Sequence, residues 1–443
     1  MANTSSGTTI VIELGSSRIK VGFAGEPRPR RVLDDSSAGV GCGHWEAFFQ
    51  RLTPPTFGTT DGDGPASAVV TTTYEWEKII NPLFSHILTS ILFIQRAPRY
   101  RMLLLINDIF PARHFREALH RVILEYLGVG GVWLVNGGVF ESMYYIINGM
   151  PSLMPSSGRP KAQMLVDIGT YEARVVVSVE GSSVLVDTIQ TTMSGYQSFL
   201  CQVLENYNEK VDETRAESDT PTPVRTLDDA NTIVQSWVTL PSTSSLSIDS
   251  PIISIKLPSN QHLSQSKISA QTPVELPLQP LLRAFHQMYL DYTNPNSLIF
   301  NILTCAMACP IDFRRGVLQN ILLLGGGSVA LRHFGCLSKE GLLRGLGLQL
   351  KMAARDACRS VKEKTNAKDK GEEKKEDDSL PISSMSRLRF QSLRHAVVGH
   401  VNHEGKNIDG INIQYLDHFA ADMVAWIGGS IMGTLGGHYQ KKM

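Results

Sequence analysis

The chain has 443 residues, and its 42 lysines and arginines balance its 42 aspartates and glutamates, so its formal net charge is zero. A neutral chain gives no electrostatic reason to expect nucleic-acid binding, and its longest apolar runs are far too short to cross a membrane. Hydrophobic content of 42% is typical of a globular protein, at a length that fits two domains. The N-terminus lacks a signal-peptide pattern, and six scattered cysteines favour free thiols over zinc, so we expect a cytosolic or nuclear protein.

The first organised stretch, residues 11–25, predicts a strand, a tight turn and a returning strand. The apolar run carries a carboxylate at Glu13, the turn begins at Gly15 and contains two serines, and Lys20 lies just beyond it. Backbone N–H groups in such a turn can hold a phosphate, and Lys20 can add a positive charge. Glu13 can bind a hydrated Mg²⁺ ion. The same pattern also fits an ordinary β-hairpin with glycine at its corner.

The next segments predict a loop, a helix and a strand. Residues 34–68 are rich in Gly, Ser, Thr, Asp and Pro and predict a loop with a short helical insert near 45–52. Helical apolar spacing follows over 74–93, and Pro82 is expected to break that helix. Residues 101–106 predict a buried strand.

An amphipathic helix is predicted over residues 111–127, with Gly128 just past its end. His114 and His120 are most simply solvent-facing positions of this helix. A short strand at 132–135 and a helix at 140–147 are expected to follow. The apolar face of the 111–127 helix comprises Phe115, Leu119, Val122, Ile123 and Tyr126.

Residues 164–169 repeat the pattern of the first hairpin, with an apolar run, an acid at Asp167 and a glycine at Gly169. The chain continues through Thr170 into a second strand at 173–179. Two such strand–acid–glycine–strand units predict two similar halves that face each other across a cleft.

The remaining chain contains less regular segments. Residues 210–275 predict an irregular excursion, part β and part loop, and helices are expected at 281–289 and 296–307. Between residues 359 and 379, seven basic and seven acidic residues with almost no apolar ones predict a disordered surface insert.

Two glycine-rich stretches complete the pattern. A buried strand beginning at residue 320 runs into Gly325, Gly326, Gly327 and Ser328, where the backbone could approach a flat ligand closely; a plain strand–helix turn explains it equally well. Residues 424–432 begin a helix whose glycines permit tight packing against a neighbour.

Taken together, these motifs resemble those of the actin-type nucleotide-binding fold. Residues 13–25 are similar to the first phosphate hairpin, 167–169 to the second and 325–328 to the adenosine-side turn. Residues 309–314 (CPIDFR) and 426–431 (WIGGSI) are similar to two actin signatures. The resemblance implies an α/β actin-like ATPase-domain fold with two similar lobes around a nucleotide cleft.

The implied domains are a first lobe at 1–160, a second lobe at 161–415 and a segment at 416–443 that returns to the first lobe. The first lobe contains a divergent insert at about 34–75. The second contains a divergent subdomain at about 200–280 and the charged insert.

The resemblance implies ATP or ADP with Mg²⁺ as the ligand and assigns no catalytic residue. Glu13 and Asp167 are the implied metal contacts. The implied nucleotide-binding residues are Gly15, Ser16, Ser17, Lys20, Asp167, Gly169, Thr170, Gly326, Gly327 and Ser328.

Several departures from the actin pattern bear on catalysis. Glu13 stands where actins carry an aspartate, and Thr170 and Tyr171 stand where they carry an acid and a glycine. Actins orient the attacking water with a glutamine that has no counterpart in residues 131–150, and Asp422 replaces a lysine. These departures predict weak or absent ATP hydrolysis.

Within the family, residues 114–123, 309–312 and 424–426 look most like the divergent actin-related proteins at the pointed end of dynactin. The poorly matching lobe pieces form the pointed face in actins. The implied function is therefore a non-polymerising cap on an actin-related filament that supports dynein-driven microtubule transport. Its implied partners are the filament subunit and other pointed-end dynactin subunits in the cytoplasm and cytoskeleton, without nucleic acid or membrane insertion.

Two alternatives stay open. The first is a nuclear actin-related subunit of a chromatin-remodelling complex, which would dock through the segments 210–275 and 359–379. The second is a small-molecule kinase on the same superfamily fold. A kinase would need a general base, and no acid other than Glu13 and Asp167, already assigned to the metal, suggests itself.

Overall fold

The structure, a computed structural model, describes residues 8–15, 18–33, 72–106, 113–136, 162–170, 172–179, 182–183, 193–214, 229–234, 252–255, 274–291, 294–331, 413–414 and 420–435. Several predictions lie outside these residues. They concern the loop at 34–68 with its helical insert, the helix at 140–147, most of the 210–275 excursion, the charged insert at 359–379, and Ser16, Ser17 and Tyr171.

Residues that contact one another fall into two compact units. The first comprises residues 1–159 and 418–443, and the second comprises residues 160–417. The strands are β1 Thr9–Leu14, β2 Ile19–Phe23, β3 Arg31–Leu33, β4 Arg101–Ile106, β5 Gly131–Asn136, β6 Ala162–Ile168, β7 Glu172–Val179, β8 Ser182–Ser183, β9 Met193–Ser194, β10 Ile252–Ile255, β11 Val274–Pro277, β12 Ile321–Leu324 and β13 Ile413–Gln414. The main helices are α1 Thr73–His86, α2 His114–Arg121, α3 Tyr196–Thr214, α4 Gln279–Phe285, α5 Leu298–Ala308, α6 Ile311–Gln319, α7 Gly326–Ala330 and α8 Val424–Leu435.

The first unit is built on a five-stranded sheet in the order β3-β2-β1-β4-β5. Strand β1 pairs antiparallel with β2 and parallel with β4, and β4 pairs parallel with β5. Strands β1 and β4 are almost continuously apolar and buried, as expected for strands at the centre of a sheet that is covered on both faces. The strands predicted at 101–106 and 132–135 are confirmed.

Helix α1 contradicts the prediction that Pro82 breaks the helix. A capping box between Thr72 and Glu75 starts α1, which passes through Pro82 to His86 and continues as a π-helical turn, Ile87–Ile91. Proline removes one N–H donor from the helix and so leaves the carbonyl of Lys78 without its intrahelical partner. Both residues are solvent-exposed, so water can satisfy that carbonyl and the helix can continue.

Helix α2 and its π-helical continuation, Val122–Tyr126, confirm the helix predicted in this region from residue 114 onward. Its buried face contains the predicted apolar residues except Tyr126, whose placement on that face is wrong because it is 54% exposed. The Tyr126 hydroxyl donates a hydrogen bond to the Glu77 carboxylate at 3.1 Å, which holds the ring at the surface. Trp76 of α1 and Phe115 of α2 join the helices, with ring centroids 4.8 Å apart.

The second unit contains a six-stranded sheet with β13-β12-β6-β7-β8 as its main path and β9 paired to β7. Strands β6 and β7 form an antiparallel hairpin, and β12 lies parallel to β6. The predicted hairpin at 164–179 and the strand that begins near residue 320 are therefore confirmed. Strands β10 and β11 form a separate two-stranded sheet, which confirms some β structure within the 210–275 region.

Helices α4 and α5 confirm the predictions at 281–289 and 296–307, with α4 continued by a π-helical turn, His286–Leu290. Helix α5 begins at Ser297, whose side chain accepts a hydrogen bond from the Phe300 N–H. None of the helices in the described ranges is both long enough and apolar enough to span a bilayer.

Candidate nucleotide-binding hairpins

The turn of the first hairpin requires glycine at position 15. The Gly15 N–H donates to the Arg18 carbonyl at 3.1 Å and closes the turn between β1 and β2. A Cβ atom at position 15 would lie only 2.6 Å from that same carbonyl oxygen, so any other residue would open the turn.

Glu13 and Lys20 lie directly opposite each other on β1 and β2. The Lys20 ammonium donates to Glu13 Oε1 at 2.7 Å, and the two side chains are only 6% and 15% exposed. Lys20 also donates to the backbone carbonyl of Asp422, just before α8. An ammonium has three N–H donors, so these contacts occupy two of the three that a phosphate could use.

Helix α8 is packed directly on this hairpin. A Cβ at Gly22 would lie 2.8 Å from the Trp426 ring, so only glycine lets the ring approach β2 this closely. The Ser430 hydroxyl accepts from the Gly25 N–H and donates to the Glu26 carbonyl, each at 2.9 Å. The motif at 426–431 therefore packs against the first hairpin. A Cβ at Gly429 would lie 2.5 Å from the Leu105 side chain, which confirms the tight packing predicted for the glycines of this motif.

The second hairpin has the same charge arrangement. Asp167 on β6 and Arg174 on β7 are direct cross-strand partners, as Glu13 and Lys20 are on β1 and β2. Both Asp167 and Arg174 are more than nine-tenths buried. The sequence analysis overlooked Arg174, although the signal was available: a basic residue follows the acid by seven positions in both hairpins.

The turn of the second hairpin is bound to the start of α3. The carbonyls of Gly169 and Thr170 accept hydrogen bonds from the backbone N–H groups of Tyr196 and Gln197, at 2.9 and 2.7 Å. Two N–H groups that the first helical turn cannot satisfy are thereby paired with the hairpin. This fixes the position of Gly169 and Thr170, both of which stay partly exposed.

The glycine-rich turn after β12 packs against the second hairpin. Gly325 has φ of 87°, and a Cβ there would lie 2.5 Å from the Ile168 carbonyl oxygen and closer still to the Asp167 carboxylate. A Cβ at Gly327 would lie 2.7 Å from the Ile168 side chain. These two glycines are explained by packing within the protein, whereas Gly326 is exposed and its backbone can be approached by a ligand.

The Ser328 hydroxyl takes part in a hydrogen bond within its own turn. Its side chain is fully buried, and its hydroxyl donates to the Gly325 carbonyl at 2.8 Å. The hydroxyl therefore stabilises the turn.

The predicted residues meet the needs of a nucleotide only in part. Gly15, Lys20 and Glu13 come together in the first unit, and Asp167, Gly169, Thr170 and Gly326 come from adjoining segments of the second. The partly exposed turns fit phosphate oxygens, and a carboxylate fits hydrated Mg²⁺. Each predicted metal-binding carboxylate, however, lies opposite a basic residue. Within the described residues, no group of three or more His, Cys, Asp or Glu is placed to hold a metal ion.

The cysteines with described surroundings are free thiols, as predicted. Burial raises the pKa of the Cys305 thiol, and it raises that of Cys309 to about 11. Cys309 donates to the Cys305 carbonyl at 3.2 Å within the same helical turn. Neither thiol has the low pKa of a nucleophile or a metal ligand.

Comparison with known proteins finds a match to one family over part of the chain. The actin family model matches residues 4–212, which include both hairpins, and it supports an actin or actin-related protein. A search of curated proteins finds no significant match. The match and the mixed sheets together confirm the predicted α/β actin-like fold class. The glycine turn at 325–328 and the motif at 426–431 lie beyond the match, so their resemblance to actins rests on the motifs alone.

Proposed function

We propose that this chain, whose residues 4–212 match the actin family, is a non-polymerising actin-related protein of the dynactin pointed-end complex. In this role it caps an actin-related filament and supports dynein-driven transport along microtubules in the cytoplasm. The filament subunit and other pointed-end subunits are its partners. The resemblance of residues 114–123, 309–312 and 424–426 to this branch of the family supports the choice.

The observation that carries the proposal is that the charged side chains of the first hairpin are already paired within the protein. The hairpin's partly buried acid is neutralised by Lys20, and Lys20 also donates to the Asp422 carbonyl just before α8. A hairpin held by its own charges and by a packed helix needs no nucleotide to keep its shape. This is the property expected of a scaffold subunit whose task is binding and not turnover.

We further propose that ATP or ADP with Mg²⁺ binds as a structural ligand and is hydrolysed weakly or not at all. The turns at Gly15, Gly169 and Gly326 would hold phosphate or nucleoside, and Glu13 or Asp167 would contact hydrated Mg²⁺. When bound, the metal would neutralise phosphate charge. A ligand that binds only the folded state stabilises it by mass action, without any need for turnover.

Native co-purification of the tagged full-length chain tests the assembly. We expect mass spectrometry to find the actin-related filament subunit and other dynactin subunits in constant proportion to the chain. Histones or remodeller subunits in that position would instead favour the nuclear alternative. Nucleotide released by denaturing the same sample would show whether ATP or ADP is bound.

Sedimentation tests the lack of polymerisation. The purified chain should stay in the supernatant with ATP and Mg²⁺ and should pellet only with preformed actin-related filaments. Sedimentation of the chain by itself would refute the proposal. Phosphate release stimulated by a small-molecule substrate would favour the kinase alternative.

A further inference from the structure

Two turns of the first unit lie next to each other at one end of its strands, which is here called this edge of the sheet. Strand β2 runs antiparallel to β1 and ends beside the start of β1, whereas β4 runs parallel to β1 and begins there. The turn after β2 and the turn before β4 therefore meet at this edge. The Phe23 and Tyr100 rings join them, with centroids 6.2 Å apart.

The two turns are strongly basic. Residues 26–33 and 93–101 contain six arginines and one acid, Glu26. The Glu26 carboxylate already has two partners: it accepts a hydrogen bond from the Phe23 N–H at 2.8 Å and forms a 2.6 Å ion pair with Arg30. The Arg30 guanidinium also lies over the Phe23 ring, 4.3 Å from its centroid.

Four further arginines of these turns are exposed: Arg28, Arg31, Arg96 and Arg99. Within the part of the chain that the structure describes, none of the four has an ion pair with an acidic residue. The edge therefore presents guanidinium groups that are suited to bidentate binding of carboxylates.

Phe93, three residues before Arg96 in the chain, has an unfavourable conformation. Its φ is 53°, in the left-handed region, and its side chain is 78% exposed. The neighbouring helix pair offers a direct comparison, because the turn after α2 ends with equivalent hydrogen bonds and has Gly128 at this position, with φ of 67°. Glycine is the residue expected in such a helix end, and a phenylalanine there adds strain and exposes an apolar ring.

We propose that Phe93 and Arg28, Arg30, Arg31, Arg96 and Arg99, here called the arginine edge, form a docking surface for an acidic segment of a protein partner. The carboxylates of that segment bind the arginines, and one of its apolar side chains covers Phe93. Phenylalanine and arginine are both enriched at protein–protein interfaces relative to the rest of the surface. A nucleic acid fits less well, because the chain carries no net positive charge to attract a polyanion over a distance.

Site-specific photo-crosslinking in cells tests this surface in the full-length chain. A benzophenone amino acid replaces Phe93, and a second sample carries it at the exposed Tyr74 as the matched control. We expect position 93 to form a crosslink to one protein, within a segment that has more acids than bases. A crosslink to nucleic acid, to a segment without excess acid, or no crosslink above the Tyr74 level overturns the proposal.

Charge removal tests the role of the arginines. The pair Arg96→Ala and Arg99→Ala should lower the crosslink yield from position 93 by about fivefold or more, and the loss should shrink as salt is raised. Arg113→Ala, at an exposed arginine outside the arginine edge, should leave the yield unchanged. Thermal unfolding of each variant identifies loss of folding. If the folded double variant keeps its full crosslink yield, the proposal is wrong.

Discussion

The buried ion pair of the first hairpin can be tested by removing Lys20 alone and then removing both partners. Lys20→Met keeps the length of the side chain but leaves the Glu13 carboxylate without its nearest cation in a place that is only 15% exposed. Breaking a buried pair from one side typically costs 3–5 kcal/mol. Because Glu13 keeps some contact with water, we expect the lower end, about 3 kcal/mol in the free energy of unfolding.

The double variant Glu13→Leu with Lys20→Met should lose much less. It removes both charges and leaves the Asp422 carbonyl without the hydrogen bond from Lys20, a loss of about 1 kcal/mol. The difference of about 2 kcal/mol between the single and double variants is the expected cost of leaving the Glu13 carboxylate without Lys20. Arg18→Met is the matched control, since its pair with Asp422 is 3.8 Å long, largely exposed and worth less than about 1 kcal/mol.

Scanning calorimetry measures these differences on the full chain. For a unit of this size, 3 kcal/mol corresponds to a melting temperature lower by about 6–12 °C. Hydrogen exchange of peptides that cover β1 and β2 then shows whether the weakened region is the first hairpin. Equal losses in the single and double variants, or a Lys20→Met variant as stable as Arg18→Met, would refute the buried-pair account.

Three further predictions concern single positions. Gly325→Ala should lower the free energy of unfolding by about 3 kcal/mol or more, because its Cβ would clash with the Ile168 carbonyl. Gly128→Ala, whose Cβ would lie in open space at positive φ, should lower the free energy of unfolding by only about 1 kcal/mol. Equal shifts of the two variants in urea midpoint would contradict this. Phe93→Gly should raise the free energy of unfolding by about 0.5–1 kcal/mol, and a lower midpoint would show that the ring is not strained. Burial, and secondarily the charge of Arg116, lowers the pKa of His120 from 6.5. As pH drops below about 6.5, His120 is therefore protonated in the unfolded chain before it is protonated in the folded chain, and the free energy of unfolding falls. His120→Gln should flatten that dependence in melting curves; an unchanged slope would exclude His120 as its source.

The strands of the candidate site can be predicted because their chemistry is local. Strands β1, β6 and β12 are short, nearly continuous apolar runs that are each followed by a glycine, and such runs fit the centre of a covered sheet. The acids at the ends of β1 and β6 are visible for the same reason, since each interrupts an apolar run just before a glycine.

The exposure of single residues is harder to predict because it depends on contacts far along the chain. Helical periodicity places Tyr126 on the buried face, but Glu77, 49 positions earlier, binds its hydroxyl at the surface. Pro82 is predicted to break α1 on local grounds, although the freed carbonyl faces solvent. Likewise, Ser328 resembles a ligand contact in the sequence, and only the fold shows that its hydroxyl is used within its own turn.

The two hairpins also suggest why Glu13 is tolerated where the related motif carries an aspartate. In the first hairpin the longer acid, Glu13, lies opposite the shorter base, Lys20, and in the second the shorter acid, Asp167, lies opposite the longer base, Arg174. Directly opposed residues on antiparallel strands have Cβ atoms about 5 Å apart, so side-chain lengths must match for charges to meet. The combined length of acid and base is similar in both hairpins. Glu13 is therefore best understood together with Lys20, whose ammonium it meets at 2.7 Å across the hairpin.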